Sequence, residues 1–250
     1  MHTPHSGHPG HPEHLVAADR PYLAPWGRRE MLRASAICAA ATATALGLAA
    51  WQPWFALFAP IALAFWAILI LFFRNPRRSV PQEPGLLVAP ADGTIWDIEA
   101  VDEPEFVAER CLRIGIFLSV FDIHVNRAPC DASLVWSRHR EGQFRDARSP
   151  EAGRVNESTS LGLTVEEAGR AHGTRLLLRQ VSGAIARRIV TPVEIGNSLA
   201  RGGLIGMIKY GSRTELWVPL TAGFEVAVAK GDKVRGGETV LGRFVADGAA

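Results

Sequence analysis

A serine, a histidine and an aspartate occupy three separate segments of this chain, and together they could activate a nucleophile. Ser212 follows Gly211 in the segment 206–219, which reads GMIKYGSRTELWVP. His124 lies in FLSVFDIHVNR, and Asp92 lies in APADG. A serine hydroxyl is a weak nucleophile near neutral pH, and a histidine base oriented by a carboxylate can activate it. The set predicts nucleophilic chemistry at Ser212 if the fold brings the three residues together.

Each of these residues taken alone has a simpler structural interpretation. Gly211 and Ser212 form a step that is typical of a tight turn between strands, because glycine reaches backbone angles that other residues avoid. His124 on an alternating strand is typical of a buried structural histidine. Asp92 followed by Gly93 is typical of a hairpin turn. The catalytic interpretation therefore depends on the three segments occurring together.

The three segments resemble the phosphatidylserine decarboxylase family, in particular its shorter bacterial and archaeal branch. The motif FFRNP is similar to that family's FFR-x-P segment, and the likeness extends from Phe72, where this motif begins, to Phe244. The resemblance implies a lyase that converts phosphatidylserine to phosphatidylethanolamine. It also implies a zymogen whose backbone breaks autocatalytically between Gly211 and Ser212.

Decarboxylation of an amino acid needs a carbonyl that condenses with the amine and accepts the electrons left by carbon dioxide. The sequence shows no convincing phosphate cradle for pyridoxal phosphate. The resemblance implies that the protein makes its own carbonyl. Ser212 attacks the Gly211 carbonyl, the resulting ester eliminates, and a pyruvoyl group remains at the new amino terminus. The products would be chains 1–211 and 212–250, paired as a heterodimer, with no metal or added cofactor.

By the same analogy, His124 is the base for Ser212, and Asp92 orients the imidazole and stabilises its charged form. Longer bacterial members of the family carry two histidines, three residues apart, in this motif. Here the second position is Arg127, which cannot serve as a base because it is effectively always protonated. Two alternatives stay open: His124 serves both self-cleavage and decarboxylation, or His139 contributes.

Two arginines are candidates for binding the substrate. Arg127 and Arg213 could pair with the phosphate or carboxylate of phosphatidylserine, because a guanidinium group matches these anions with paired hydrogen bonds. Taken alone, both arginines are typical of surface charges.

Two apolar runs ahead of these segments predict a membrane anchor. The run 34–50 is uncharged and rich in alanine, whereas 54–73 is far more apolar and has about the length that spans a bilayer. Arginines flank the pair on both sides, so the positive-inside rule places both flanks on the cytoplasmic side of the inner membrane. We therefore expect a helical hairpin in contact with membrane lipids. Because the first run is short and weakly hydrophobic, a re-entrant or monotopic insertion stays open.

Beyond this hairpin the pattern is mostly β. Short runs enriched in β-branched residues and bounded by Gly, Pro or Asp are typical of strands. They cover 85–88, 94–101, 111–118, 133–138, 161–166, 174–181, 204–210, 215–219 and 225–228. The run 185–190 is either a strand or a short helix. We predict an α+β protein, with a compact β-rich catalytic domain at 74–250 behind a membrane hairpin at 34–73 and a tail with a basic flank at 1–33.

Composition narrows the class of partner. With a net charge of +2, the chain has no bulk attraction for nucleic acid. Three cysteines without metal-ligand spacing favour a reducing compartment and argue against a disulfide framework. The His- and Pro-rich segment 1–18 predicts a disordered tail, although its regularly spaced histidines could align in a polyproline II helix and capture a metal.

Other functional classes stay open on the sequence. The chain could be a membrane-tethered β-domain that binds lipid or a partner and is never cleaved. It could also be a pyruvoyl decarboxylase for a different headgroup. The segments 88–95 and 228–238 are similar to the hairpins of lipoyl- and biotinyl-type carrier domains, although neither Lys209 nor Lys230 has the setting that a carrier lysine needs. The number of subunits is open as well, including a homo-oligomer.

Overall fold

The computed structural model of the protein describes residues 22–245, except for residues 168, 170, 185–187 and 210. The His-rich segment 1–18 therefore lies outside the described residues. Within the described part the helices are α1 (Arg28–Ala49), α2 (Phe58–Phe72) and α3 (Ala152–Val155). The strands are β1 (Leu86–Val88), β2 (Gly93–Glu103), β3 (Glu109–Leu118), β4 (Val125–Arg127), β5 (Ala132–Arg140), β6 (Ser158–Val165), β7 (Arg175–Val181), β8 (Arg188–Val190), β9 (Ser198–Leu199), β10 (Leu204–Lys209), β11 (Ser212–Pro219), β12 (Phe224–Val226), β13 (Lys233–Val234) and β14 (Val240–Phe244). The predicted mostly β class is confirmed.

The helices α1 and α2 pack against each other and present an apolar outer surface. A hydrogen bond from Trp66 Nε1 to Ser35 Oγ, 2.9 Å long, joins the two helices. The segments Pro25–Ala49 and Pro53–Phe72 are both long and apolar enough to cross a membrane, with mean hydropathies of 1.4 and 2.6. Large apolar side chains such as Phe65 are exposed on this surface, and exposed apolar patches of this kind mark contact with lipid or with a partner. The surface indicates membrane association.

The base of the helical pair is packed against the β-rich part of the chain. Ala24 N–H donates to Phe73 O at 2.7 Å, which joins the chain entering α1 to the chain leaving α2. Phe73 is buried, and its ring occupies the space beside Gly27, where any Cβ would lie 2.1 Å from a ring carbon. We call the apolar cluster at this point the hairpin interface; its buried members are Ala24, Phe72, Phe73, Ile123, Val125 and Met207.

One large sheet and two small sheets make up the β-rich part. The large sheet has the strand order β13-β2-β3-β11-β7-β6-β5-β9, and the small ones are β1-β14-β12 and β4-β10-β8. Strand β11 lies in the interior of the large sheet, where it pairs in antiparallel fashion with β3 and β7. Every residue of β11 is buried. The strand that begins with Ser212 is therefore held rigidly between two neighbours.

The predicted strands are present, and the structure adds strands that the sequence pattern did not indicate. The run 185–190 is a strand where it is described, as β8. Strands β4, β9 and β13 were missed because two or three residues are too few to show a period of two. Strand β14 was missed because Gly242 interrupts its short apolar run. Strand β11 begins at Ser212, three residues earlier than the predicted start at Glu215.

Replacing Phe73 by alanine should weaken the attachment of the helices to the β-rich part. The ring is 1% exposed, and truncating a buried phenylalanine typically costs about 3–5 kcal/mol. We expect a lower thermal unfolding midpoint for the detergent-solubilised protein. Phe65→Ala is the matched control, because it removes the same atoms from the exposed surface of α2. Equal shifts in the two variants would contradict a specific hairpin interface.

Candidate active site

The chain passes from one sheet to another at Gly211. Strand β10 ends at Lys209 in a small sheet, and β11 begins at Ser212 in the large one, so the two strands do not pair with each other. Gly211 and Ser212 therefore do not form a tight turn between paired strands; they connect strands of two different sheets. Gly211 has a φ of +56°, a left-handed conformation that residues with a Cβ rarely adopt. The glycine is needed here for the change of sheet.

Ser212 lies at this junction with its side chain fully buried. It pairs with Leu118 of β3 and is 0% exposed. Among the described residues, its Oγ has no hydrogen-bond partner. A buried hydroxyl without a partner costs free energy and calls for an explanation such as a catalytic role. The hydroxyl is available for reaction with the neighbouring peptide.

His124 contacts the residue that precedes the serine. Its Nε2 accepts a hydrogen bond from Gly211 N–H at 3.0 Å, and its Nδ1 lies 2.9 Å from Asp122 O. Since an amide N–H can only donate and a carbonyl can only accept, the ring proton must be on Nδ1. His124 is therefore a neutral imidazole whose basic nitrogen points at Gly211.

Burial keeps His124 in this neutral form. Desolvation lowers its pKa to about 4, although the hydrogen bond to Asp122 O opposes the shift. The ring also packs against Phe72, the last residue of α2, with 4.5 Å between ring centroids. The end of the membrane-associated helix thus forms part of the wall around the histidine.

Asp92 lies elsewhere. Its carboxylate accepts hydrogen bonds from Arg78 Nη2 at 2.8 and 2.7 Å and from Gly236 N–H at 2.8 Å. The backbone carbonyl of Asp122, and not the carboxylate of Asp92, orients His124. The reason is topological: Asp92 directly precedes β2, whose edge pairs with β13 and so faces the loop that holds Gly236. The structure does not bring Asp92 and His124 together.

Arg127 is buried among backbone groups. Its Nη1 donates to Gly202 O at 2.9 Å, and its Nη2 donates to the side-chain oxygen of Asn75 and to Pro76 O. Asn75 and Pro76 belong to the FFRNP motif that follows α2. The guanidinium group therefore ties the chain leaving the helices to the β-rich part. A role in binding the substrate stays a prediction.

Arg213 follows Ser212 on β11, and successive strand residues point to opposite faces of a sheet. It is 2% exposed and forms ion pairs with Asp97 at 2.7 Å and with Glu215 at 2.8 Å. Burial lowers the pKa of Arg213, but the carboxylates of Glu215 and Asp97 outweigh burial, so its pKa is raised. These contacts engage the guanidinium on the face opposite Ser212, and its predicted role in substrate binding also stays untested.

A buried chain of amides and hydroxyls lies on the same face of the sheet as Ser212. Asn126 donates to Thr214 Oγ1 at 3.0 Å and accepts from Gln180 at 2.7 Å, and Gln180 in turn accepts from Thr191 at 2.7 Å. Thr214 is two residues from Ser212, and Asn126 is two residues from His124. The network therefore fixes the relative position of the two strands that carry the reacting groups. Sequence analysis missed it, and the spacing of Asn126 from the histidine was its only signal.

The segment after β7 approaches the carbonyl that would be attacked. A Cβ placed on Gly183 would lie 2.2 Å from Gly211 O, so only glycine permits this approach. The preceding Ser182 is buried, and its Oγ also has no hydrogen-bond partner in the described part of the chain. Sequence analysis missed both residues, because nothing in their spacing links them to Gly211.

His139 stands apart from this site. It lies on β5, which β7 and β6 separate from β11, and its Nδ1 is 3.0 Å from Thr159 Oγ1. Of the histidines that the structure describes, His124 is the one that contacts the Gly211–Ser212 peptide. Within residues 22–245, as far as they are described, no group of three His, Cys, Asp or Glu side chains could hold a metal ion.

Comparison with known proteins identifies the family. The family model described as "Phosphatidylserine decarboxylase" matches residues 65–242, which include every residue discussed around Ser212.

Several relatives carry the name "Phosphatidylserine decarboxylase proenzyme". The chain is 44% identical over 183 residues to one from Symbiobacterium thermophilum, covering 73% of this chain and 82% of the relative. It is 41% identical over 176 residues to one from Carboxydothermus hydrogenoformans, covering 70% of this chain and 79% of the relative. It is also 41% identical over 191 residues to one from Rhodopirellula baltica, covering 76% and 77%. The family match and these relatives extend over most of the chain, which is therefore an enzyme of the phosphatidylserine decarboxylase family.

Proposed function

We propose that this protein is a membrane-anchored, pyruvoyl-dependent decarboxylase that converts phosphatidylserine to phosphatidylethanolamine after cleaving itself between Gly211 and Ser212. The observation that carries the proposal is the hydrogen bond from Gly211 N–H to His124 Nε2, next to a buried hydroxyl without a partner. A neutral base is held against the residue whose carbonyl must be attacked. This arrangement supports His124 as the base.

Self-cleavage begins with an exchange of an amide for an ester. His124 Nε2 first releases the hydrogen bond from Gly211 N–H, which frees its lone pair. The Ser212 oxygen then bonds to the Gly211 carbonyl carbon while the hydroxyl proton passes to His124 Nε2. The carbon–nitrogen bond then breaks, and the proton passes on to the Ser212 nitrogen. The left-handed Gly211, which has no side chain to shield its carbonyl, leaves the path of attack open.

Elimination completes the cleavage. A base removes the α-proton of residue 212. The bond between Cβ and Oγ of that residue then breaks, and Gly211 leaves as a carboxylate. Water then adds to the dehydroalanine at residue 212 and ammonia departs, which yields the pyruvoyl group. The products are chains of 211 and 39 residues (250 minus 211).

The residues present fit such a group at position 212. The residue is 0% exposed and pairs with Leu118 of β3, and a buried position of this kind excludes water. The pyruvoyl group supplies a carbonyl that accepts the electron pair left by carbon dioxide. His124 Nε2 contacts the neighbouring residue Gly211 and could receive and return a proton there. The hydrogen bond from Asn126 to Thr214 joins β4 to β11 beside it.

The position of the site suits a lipid substrate. Phe72 ends a helix apolar enough to cross a membrane and contacts the His124 ring directly. A phosphatidylserine headgroup could thus reach the site while its acyl chains stay in the bilayer. The arginines on both sides of the helical pair favour the cytoplasmic face of the inner membrane. We propose the same division of the chain as above, with a catalytic domain at 74–250 behind a hairpin at 34–73.

Ser212→Ala should abolish both cleavage and decarboxylation, because alanine has no oxygen to attack the carbonyl. On a denaturing gel, the variant should remain one chain of 27.1 kDa, and the wild type should give two fragments. Mass spectrometry should find a pyruvoyl group at the start of the small fragment. Ser137→Ala is the control; it removes an exposed hydroxyl on β5, away from the site, and should leave cleavage intact. An active wild type that consists of one unbroken chain would refute the proposal.

Gly183→Ala should slow self-cleavage strongly. Its new methyl group would lie 2.2 Å from Gly211 O, so the carbonyl must move away from the position in which it is attacked. A displacement of about 1 Å can cost about 100-fold in rate. The measurement is the fraction of cleaved chain against time after cell-free synthesis. Gly47→Ala, where an added Cβ meets nothing within 4 Å, should cleave like the wild type; similar rates in both variants would argue against the contact.

Self-cleavage should be insensitive to pH between about 5.5 and 8, because His124 with a pKa of about 4 stays neutral throughout that range. An ordinary histidine has a pKa of 6.5, so half of it would be protonated, and useless as a base, at pH 6.5.

The folded state binds a proton at His124 less readily than the unfolded state does. The stability of the protein should therefore fall as the pH drops from 6.5 towards 4. Cleavage rates measured in a series of buffers, with folding followed by circular dichroism, check both statements. A cleavage rate that halves near pH 6.5 while the protein stays folded would contradict a base whose pKa is lowered by burial.

A further inference from the structure

A cationic cavity lies at the base of α1, where the helices meet the β-rich part. Its volume is about 390 Å³. Arg28, Arg29, Arg188 and Lys209 line it, and Glu30 is the only acidic residue on its wall. Neither the self-cleavage chemistry nor the hairpin interface accounts for so many cations around one cavity.

The cavity shares a wall with the strand that leads to the cleavage site. Lys209 is the last residue of β10, two residues before Gly211, and it lies opposite Arg188 of the neighbouring strand β8. Lys209 is 5% exposed. Its ammonium group donates to Trp26 O at 3.2 Å and forms an ion pair with Glu30. Lys209 therefore links the base of α1 to the strand that ends at the scissile peptide.

The charge of the wall suits a phosphate group. Glu30 is engaged by Lys209, so the positive charges of the three arginines are not neutralised by the one carboxylate on the wall. Arg28, Arg29 and Arg188 are exposed. Guanidinium groups bind phosphate oxygens with paired, charge-assisted hydrogen bonds. The apolar part of the wall, from Trp26 and Val190, suits the carbon atoms next to a phosphodiester.

The position of the cavity, at the start of α1, indicates which kind of molecule carries that phosphate. It lies where α1 begins, at the same end of the helical pair as Phe73. Basic residues that flank an apolar helix sit at the depth of lipid headgroups. A phosphate at this level is carried by a membrane lipid.

We infer that this cavity binds the phosphodiester of an anionic phospholipid, and that it holds phosphatidylserine by its phosphate beside the strand that ends at Gly211. The second part of the inference rests on the proposed function; the first does not. Arg28, Arg29 and Arg188 are then binding residues for the substrate, whereas Lys209 positions the base of α1.

Kinetics of the intact protein in neutral detergent micelles test the inference. Arg188→Gln and Arg29→Gln should each raise the KM for phosphatidylserine roughly tenfold, since a hydrogen bond to a charged group is lost, and should leave kcat and self-cleavage unchanged. Arg243→Gln, an exposed arginine on β14, is the matched control and should change nothing. A KM within twofold of the wild type in both cavity variants would overturn the inference. So would a loss of self-cleavage in them, because the arginines would then be structural.

A binding measurement on the uncleaved Ser212→Ala chain separates this inference from the proposed function, since it requires no turnover. In native mass spectrometry, this chain should retain phosphatidylglycerol in preference to phosphatidylcholine, and Arg188→Gln added to it should remove the preference. Equal retention of the two lipids would overturn the inference even if the enzyme is active. If the chain retains inorganic phosphate but shows no preference for phosphatidylglycerol, the cavity binds free phosphate and not a phospholipid, which would overturn the inference. A wild-type protein that prefers phosphatidylglycerol but has no decarboxylase activity would refute the proposed function. It would still support the cationic cavity as a binding site for anionic phospholipid.

Discussion

The hydrogen bond from Gly211 N–H to His124 Nε2 is the contact on which the site depends. It exists because the chain changes sheets at Gly211, in a left-handed conformation that turns this N–H towards the histidine instead of into a strand ladder. The same bond uses the lone pair of Nε2, which places the ring proton on Nδ1, and Nδ1–H donates to the Asp122 carbonyl. A backbone group thus fixes the tautomer, a task that a carboxylate performs in the familiar triads.

The two faces of β11 carry different groups of side chains. Ser212 and Thr214 face the histidine and the amide network, and Arg213 and Glu215 face a buried set of ion pairs. Breaking such a buried pair by removing one partner typically costs about 3–5 kcal/mol, because a charge is left without compensation. The ionic face therefore holds the strand in register, and these ion pairs do not depend on the peptide before Ser212, which the proposed self-cleavage would break. This helps to explain how two cleavage products could remain one folded unit.

The apolar helices and the candidate site are in direct contact in this protein. Phe72 belongs to the hairpin interface and also to the wall around His124, and Arg127 holds the chain that leaves α2. The desolvation that lowers the pKa of His124 is thus produced partly by the membrane-associated helix. The cationic cavity at the base of α1 lies between the helices and the end of β10, which precedes Gly211.

The sequence by itself determined the two apolar helices, the mostly β class and the residue types at Gly211, Ser212 and His124, because periodicity, apolar length and motif are local properties. It also carried the family resemblance, which the comparisons bear out. Only the tertiary structure decided which residues meet. Asp92 was expected on His124 but pairs with Arg78, since strand order places β2 beside β13. Gly183 reaches Gly211, from 28 positions earlier in the chain, because β7 lies next to β11. Such contacts depend on how strands are ordered in a sheet, and no local pattern records that order.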